Sequence, residues 1–127
     1  MILRIESANW NPVTERFIAS ALSTASIEDI KEQVLNGAQL FKVVNQYVET
    51  VAAFVLRVDH MTHESQGVVV AAGGRAEVDL TVHVLPAIER MFKGCKRLRI
   101  HTERVGLVKK LAKQGYDGAE FVLIKDL

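Results

Sequence analysis

The spacing of apolar residues changes several times along the chain, and each change marks a different kind of element. Near the start Ile2 to Ile5 alternates weakly, enough for a first strand. The turn sequence Asn9-Trp10-Asn11-Pro12 follows. Asn11 can accept amide hydrogen bonds as a helix N-cap, and Pro12 at the first helical position has its φ pre-set and no amide to lose. Beyond it Val13, Phe17, Ile18, Ala21 and Leu22 recur every three or four residues, the period of one helix face. Ser26, with Asp29 three positions on, predicts a second helix start, and Asn36-Gly37 predicts its stop.

From Gln39 the pattern becomes that of strands. Gln39 to Asn45, Val48 to Asp59 and Gly67 to Ala72 are rich in β-branched and aromatic residues and are separated by polar breaks, which predicts an antiparallel meander. His60 to Gln66 is a longer, polar connection of the kind that often carries binding groups. After Gly73-Gly74 a helical stripe (Val82, Leu85, Ile88, Met91, Phe92) runs to Lys93-Gly94. Pro86 lies inside it, so the helix either bends there or begins later. Lys96 to Thr102 alternates charged and apolar residues as a strand with one wet face. Arg104 to Gln114 is an amphipathic helix stopped by Gly115, and Glu120 to Lys125 reads as a final strand. A meander followed by strand, helix, strand, helix and strand implies one mixed sheet with helices on both faces. No repeat, linker or shift in composition divides residues 1–127, so a single domain is expected.

Composition narrows the function classes. A net charge of +1 gives no overall pull towards nucleic acid or anionic membrane. Lys93, Lys96, Arg97, Arg99, Arg104, Lys109, Lys110 and Lys113 do crowd the last third, but no aromatic residues interleave them as a nucleic-acid surface would require. A single cysteine, Cys95, excludes an internal disulfide and points to a reducing, cytoplasmic setting. No run of eighteen apolar residues is present, and Arg4 and Glu6 interrupt any signal-like apolar segment, so neither export nor a membrane span is expected.

The order of elements, together with Gly94-Cys-Lys-Arg-Leu-Arg-Ile-His-Thr102 and Leu111-Ala-Lys-Gln-Gly-Tyr116, resembles the GNAT (Gcn5-related N-acetyltransferase) family. The resemblance covers Val48 to Leu127 and extends towards the N-terminus. It rests on the order and lengths of elements more than on the short strings. It implies a GNAT-like α/β fold and transfer of an acyl group from acetyl-CoA to an amine of a small molecule or protein. In the family the fourth strand offers backbone groups to the pantetheine arm, here the stretch with Val68 and Val70. The next turn holds the pyrophosphate on amides at a helix start, where glycine lets the backbone come close. Spacing from Gly94 places that turn at Arg75, Ala76, Glu77, Val78, Asp79 and Leu80. Arg75 fits the family pattern, while Val78 and Leu80 fill its small positions, and Glu77 and Asp79 bring negative charge. A shifted register with Gly73 and Gly74 at the phosphates is the alternative. The family's usual asparagine early in the next helix is replaced by Arg104, which could also meet a phosphate. The tyrosine that protonates the departing thiolate is replaced by Leu111, and Tyr116 holds the aromatic position of the glycine-aromatic pair.

Two histidines are candidates for the base that deprotonates the amine. His101 stands near the carboxyl end of its strand, where open α/β sheets place ligands, and His60 belongs to the dense titratable cluster Asp59-His60-Met-Thr-His63-Glu64. A metal on that cluster would need its ligands to converge, and no metal is assigned. A second reading makes the chain a catalytically inactive binding or structural scaffold, similar to small GNAT-like proteins of some tailed bacteriophages. A homodimer is compatible with either reading.

Overall fold

A computed structural model describes residues 2–22 and 25–127; Met1, Ser23 and Thr24 lie outside the described residues. In chain order the elements are β1 (Leu3–Ser7), α1 (Pro12–Ser20), α2 (Ile27–Leu35), β2 (Gln39–Asn45), β3 (Thr50–His60), β4 (Ser65–Gly74), α3 (Leu80–His83), α4 (Leu85–Met91), β5 (Arg97–Ile100) and α5 (Val105–Ala112). The local signals act as expected. Asn11 Oδ1 accepts from the amides of Val13 and Thr14, each at 3.0 Å, and Ser26 Oγ accepts from Asp29 at 3.2 Å. Gly37 ends α2 at φ +115°, a backbone that side chains with a Cβ rarely adopt. Pro86 divides the expected long helix in two: α3 stops at His83 and α4 starts afresh with the proline in its first turn.

Among the described residues the strands form one sheet in the order β1-β2-β3-β4-β5, antiparallel except for the parallel β4–β5 pair. Alternation along β3 divides the core. Ala52, Phe54 and Leu56 face α3, α4 and α5, together with Val69, Val78, Leu85, Ile88 and Leu111. Ala53 and Val55 face α1 and α2, with Ile18, Ile30, Leu40 and Ala71. Phe41 and Phe54 are cross-strand partners, their ring centroids 5.2 Å apart, a pairing that helps fix the β2–β3 register.

Three sequence expectations are corrected. β3 begins at Thr50 rather than Val48, because Val48 turns at φ +62° while Asn45 Oδ1 accepts from the amides of Tyr47 and Glu49. β5 is shorter than expected and ends at Ile100. The final strand expected over Glu120 to Lys125 has no ladder partner among the described residues; Phe121 and Leu123 are 92% and 94% exposed.

Gly73 is a packing glycine. α1 lies across β3 and β4, and a Cβ at Gly73 would overlap the Phe17 carbonyl of that helix. Gly73→Ala should therefore lower unfolding stability by about 1–3 kcal/mol in urea titration. Gly94→Ala, with nothing within 4 Å of its added carbon, should stay within about 0.5 kcal/mol of the parent.

Candidate active site at the fork between two parallel strands

β4 is paired on one edge with β3 out to Gly74, but on the other with β5 only from Gln66 to Val69. Beyond the Val69–Ile100 pair the two parallel strands part, and the β4 edge from Val70 to Gly74 has no strand partner among the described residues. At the same point the β3–β4 register slips, and Val70 is the residue left without an opposite number. The bulge breaks the side-chain alternation: Val69 belongs to the α4 face, and Val70 and Ala71 both belong to the α1 face. The product is a fork with unpaired backbone on one prong and the carboxyl end of β5 on the other.

The fork separates the predicted site residues. Val68 is buried between partners on both edges, Arg57 and Arg99, so its backbone faces strands and the free edge starts two residues later. Val70 stands at the fork and the exposed His101 follows the end of β5 beside it. The Asp59 carboxyl is held below its ordinary range, chiefly by hydrogen bonding from Arg57, with smaller attractions from Arg99 and His101. Those four groups therefore share one neighbourhood. Arg57 is fully committed there, donating to both Asp59 oxygens at 2.7 and 3.2 Å and to Gln33 Oε1 at 2.6 Å. His60 is at the opposite end of the sheet, 3.1 Å from Ser65 Oγ through Nδ1. A broad recess of about 1170 Å³ opens at that end, with Gln33, Arg57, His60, Ser65 and Cys95 in its lining. Its lining runs along β3 to Arg57 and Leu56, the partners of Val68 and Val69. No three His, Cys, Asp or Glu side chains converge as metal ligands among the described residues.

The turn after β4 is built as a structural cap. Arg75 continues the ladder through its amide to Val51 O at 2.9 Å and pairs with Glu49 at 3.3 Å, away from the helix start. Ala76 and Glu77 are exposed at the turn, whereas Val78 is buried and Leu80 half-buried against the α4-side core. Asp79 caps α3: its carboxylate accepts from Thr81 N at 3.0 Å, Thr81 Oγ1 at 2.7 Å and Lys110 Nζ at 3.0 Å. An acidic group thus already holds the start of α3, and a diphosphate does not fit there. The start of α5 has no such carboxylate cap. Its N-cap is Arg104, whose side chain makes no capping bond and whose amide donates to Thr102 Oγ1 at 3.1 Å.

The groups suited to proton transfer are few. Leu111 is buried in the core. Tyr116 donates its hydroxyl proton to Glu89 Oε2 at 2.8 Å and, by burial first and then by that carboxylate, holds the proton more tightly than an ordinary tyrosine. Much of the basic crowding in the last third is internally paired: Lys96 and Arg97 meet Glu64, Arg99 meets Glu120, and Lys110 meets Asp79. No described helix is long and apolar enough to cross a membrane.

The five-stranded mixed sheet with helices on both faces has the fold of the GNAT acetyltransferases. Glucosamine-6-phosphate N-acetyltransferase from Arabidopsis thaliana is similar at a TM-score of 0.66 and 9% identity, over 99% of each chain. A GNAT family acetyltransferase from Staphylococcus aureus is similar at 0.62 and 11% identity over 100% of both chains. A transcriptional regulator from Bacillus halodurans is similar at 0.69 and 15% identity, over 99% of this chain and 100% of that one. No protein-family model and no curated protein matches the sequence.

Asp79→Ala should cost about 1 kcal/mol, the usual value of an N-cap. Its pairing with Lys110 adds little, because a third of the Asp79 side chain is exposed and solvent screens the charges. The Asp79 carboxyl is depressed from 3.8 to about 2. Its contribution is therefore present above pH 3.8 and lost as the pH falls towards 2. Stability measured against pH should lose this increment across that window in the parent, and not in Asp79→Ala.

Proposed function

We propose that the protein is an N-acyltransferase that takes acetyl-CoA at the fork and passes the acyl group to an amine. The observation that carries this reading is the free β4 edge from Val70 to Gly74, opposite the end of β5, in a fold shared with N-acetyltransferases. Unpaired amides and carbonyls there suit the amide-bearing arm of the cofactor, which can add to the edge as a strand would. The diphosphate is assigned to the Arg104 side chain at the open start of α5. Arg75 joins it only by leaving Glu49, and Ala76, Val78, Asp79 and Leu80 serve as the wall of the turn.

Bound acetyl-CoA supplies an acyl group activated as a thioester. His101, exposed beside Val70, accepts the proton that the amine nitrogen releases as it bonds to the acyl carbon. The carbon–sulfur bond breaks in the same exchange. The departing sulfur takes its proton from solvent, because Leu111 has none to give and Tyr116 keeps its own for Glu89. The chain's contribution is mostly to hold amine and thioester together. His60, at the far end of the sheet, is not assigned to this step. The amine belongs to a small molecule or a protein, and the setting is the cytoplasm, in keeping with the single reduced cysteine.

The capped start of α3 favours a second reading, a GNAT-fold scaffold that binds partners without catalysis, including one of bacteriophage type. Thermal shift with acetyl-CoA separates the two: at a hundred times its dissociation constant the ligand should add about 2.7 kcal/mol. No shift at millimolar acetyl-CoA would overturn the enzyme reading.

The residues are tested next. Arg104→Ser installs a good N-cap where none exists, so it should raise stability by about 1 kcal/mol while weakening acetyl-CoA binding. Raised stability with unchanged binding removes Arg104 from the site. His101→Ala should lower turnover with binding retained, and a turnover equal to the parent's would assign the proton to solvent.

A further inference from the structure

β3 outruns β2. The ladder between them begins at the Gln39–Leu56 pair, so Arg57 to His60 at the end of β3 are paired with β4 on one edge and with no strand on the other among the described residues. The register fixes which backbone groups that edge presents. The Met61 amide donates to Glu64 O at 2.8 Å where β3 turns into β4, and in an antiparallel ladder the groups of every second residue face the same edge. Arg57 and Asp59 therefore bond towards β4. Val58 and His60 each turn an amide and a carbonyl to the uncovered edge, a ready template for a further strand. That edge opens into the recess of about 1170 Å³, which is wider than the roughly 300–1,000 Å³ usual for a small-molecule pocket.

The two walls of the recess differ in chemistry. On one side α2 contributes Asp29, Glu32, Gln33 and Asn36, spaced three or four positions apart along one helix face. Arg57 is spent on Asp59 and Gln33, and neither Asp29 nor Glu32 is in an ion pair among the described residues. This wall is acidic and uncompensated. On the other side Val58 shares the face of Leu56 by alternation, and Met91 and Phe92 line the recess with it. Val58 and Met91 are 42% and 46% exposed, apolar surface that a partner can cover.

We propose that this edge docks an extended peptide segment of another protein, one in which arginine or lysine alternates with aliphatic residues, added beside β3 as a further strand. The backbone of Val58 and His60 selects an extended chain, because its groups repeat at the spacing of a strand. The walls select the side chains. Successive residues of an added strand point to opposite faces, so one set meets Val58, Met91 and Phe92 while the alternate set meets Asp29 and Glu32. Aliphatic and basic residues satisfy the two in turn. The exposed run Phe121 to Ile124 of this chain does not match, since four apolar residues in succession offer nothing to the acidic wall.

The test uses the full chain and a short fluorescein-labelled peptide of alternating arginine and valine, blocked at both ends so that it offers no amine for acyl transfer. Fluorescence anisotropy should show saturable binding that weakens with added salt and is absent for a peptide of alternating glutamate and valine. N-methylating the peptide's backbone should weaken binding about tenfold or more, as loss of strand hydrogen bonds requires. Val58→Pro removes an outward amide and leaves the β4 ladder to its neighbours, and it should abolish most of the binding. Glu32→Lys lies on an exposed helix face and keeps the fold even where the proline does not; it should lower affinity about tenfold with an unchanged thermal transition. Amide hydrogen exchange places the peptide directly: Val58 and His60 should become protected when it binds. Absence of saturable binding would overturn the proposal. So would binding that the glutamate peptide shares, binding that neither N-methylation nor Glu32→Lys weakens, or protection that falls on the outer strands β1 or β5 instead.

Discussion

The pairing of β4 is the constraint from which the rest of the molecule follows. Its first half is held between β3 and β5, its second half by β3 alone. A parallel strand in mid-sheet normally satisfies its backbone on both edges, and leaving one edge open requires something on either face to keep the strand in place. Here α1 presses on β4 closely enough that residue 73 has no room for a side chain. The α4-side core grips the other face through Val69, Ala72 and Val78. The bulge at Val70 then turns two successive side chains to the α1 face exactly once, at the fork, without disturbing pairing above or below it. The free edge is thus maintained by packing elsewhere.

Charge at the mouth of the fork is arranged with the same economy. Asp79 ties the start of α3 to α5 through Lys110, and Arg75 ties the end of β4 to the β2–β3 turn through Glu49. These pairs brace three chain segments around the opening, and they also neutralise the groups a phosphate would otherwise meet there. The start of α5 is left as the electropositive end, since its N-cap is a cation that donates no cap and its helix dipole points the same way. An arginine in that place is unfavourable for the helix alone. The fold is common to proteins with different described roles, an amino-sugar acetyltransferase and a transcriptional regulator among them, so chemistry has to be read from such local features and not from the architecture.

Much of the fold was legible in the sequence because its signals are local. Asn11-Pro12, Ser26 and Asn36-Gly37 each place a helix end within a residue or two, and Pro86 marks the interruption that became two helices. The meander from Gln39 to Ala72 followed from composition and alternation. Where the reading failed, the cause was non-local. The strand period begins at Val48 in sequence, but the side chain of Asn45 folds that residue into the turn. The run from Glu120 to Lys125 has every local mark of a strand and has no ladder partner among the described residues, and no period can show a missing ladder partner. Among the site residues, Arg75, Ala76, Val78 and Asp79 do lie in the turn between β4 and α3, and Leu80 opens α3. That Asp79 would cap the helix, and that Arg75 would turn to Glu49, depends on groups 2 and 26 residues away.

What the sequence determined by itself is the order of elements up to α5, their helix caps, and the residue types available for chemistry: one cysteine and few candidate bases. These depend on side-chain volume, backbone preference and neighbours within about one turn. The tertiary structure decided the fork, the bulge that sets Val70 beside His101, the distance of His60 from both, and the uncovered edge of β3 beyond Leu56. Each of these is a relation between strands remote in sequence, fixed by which backbone groups find partners and by how closely α1 can approach the sheet.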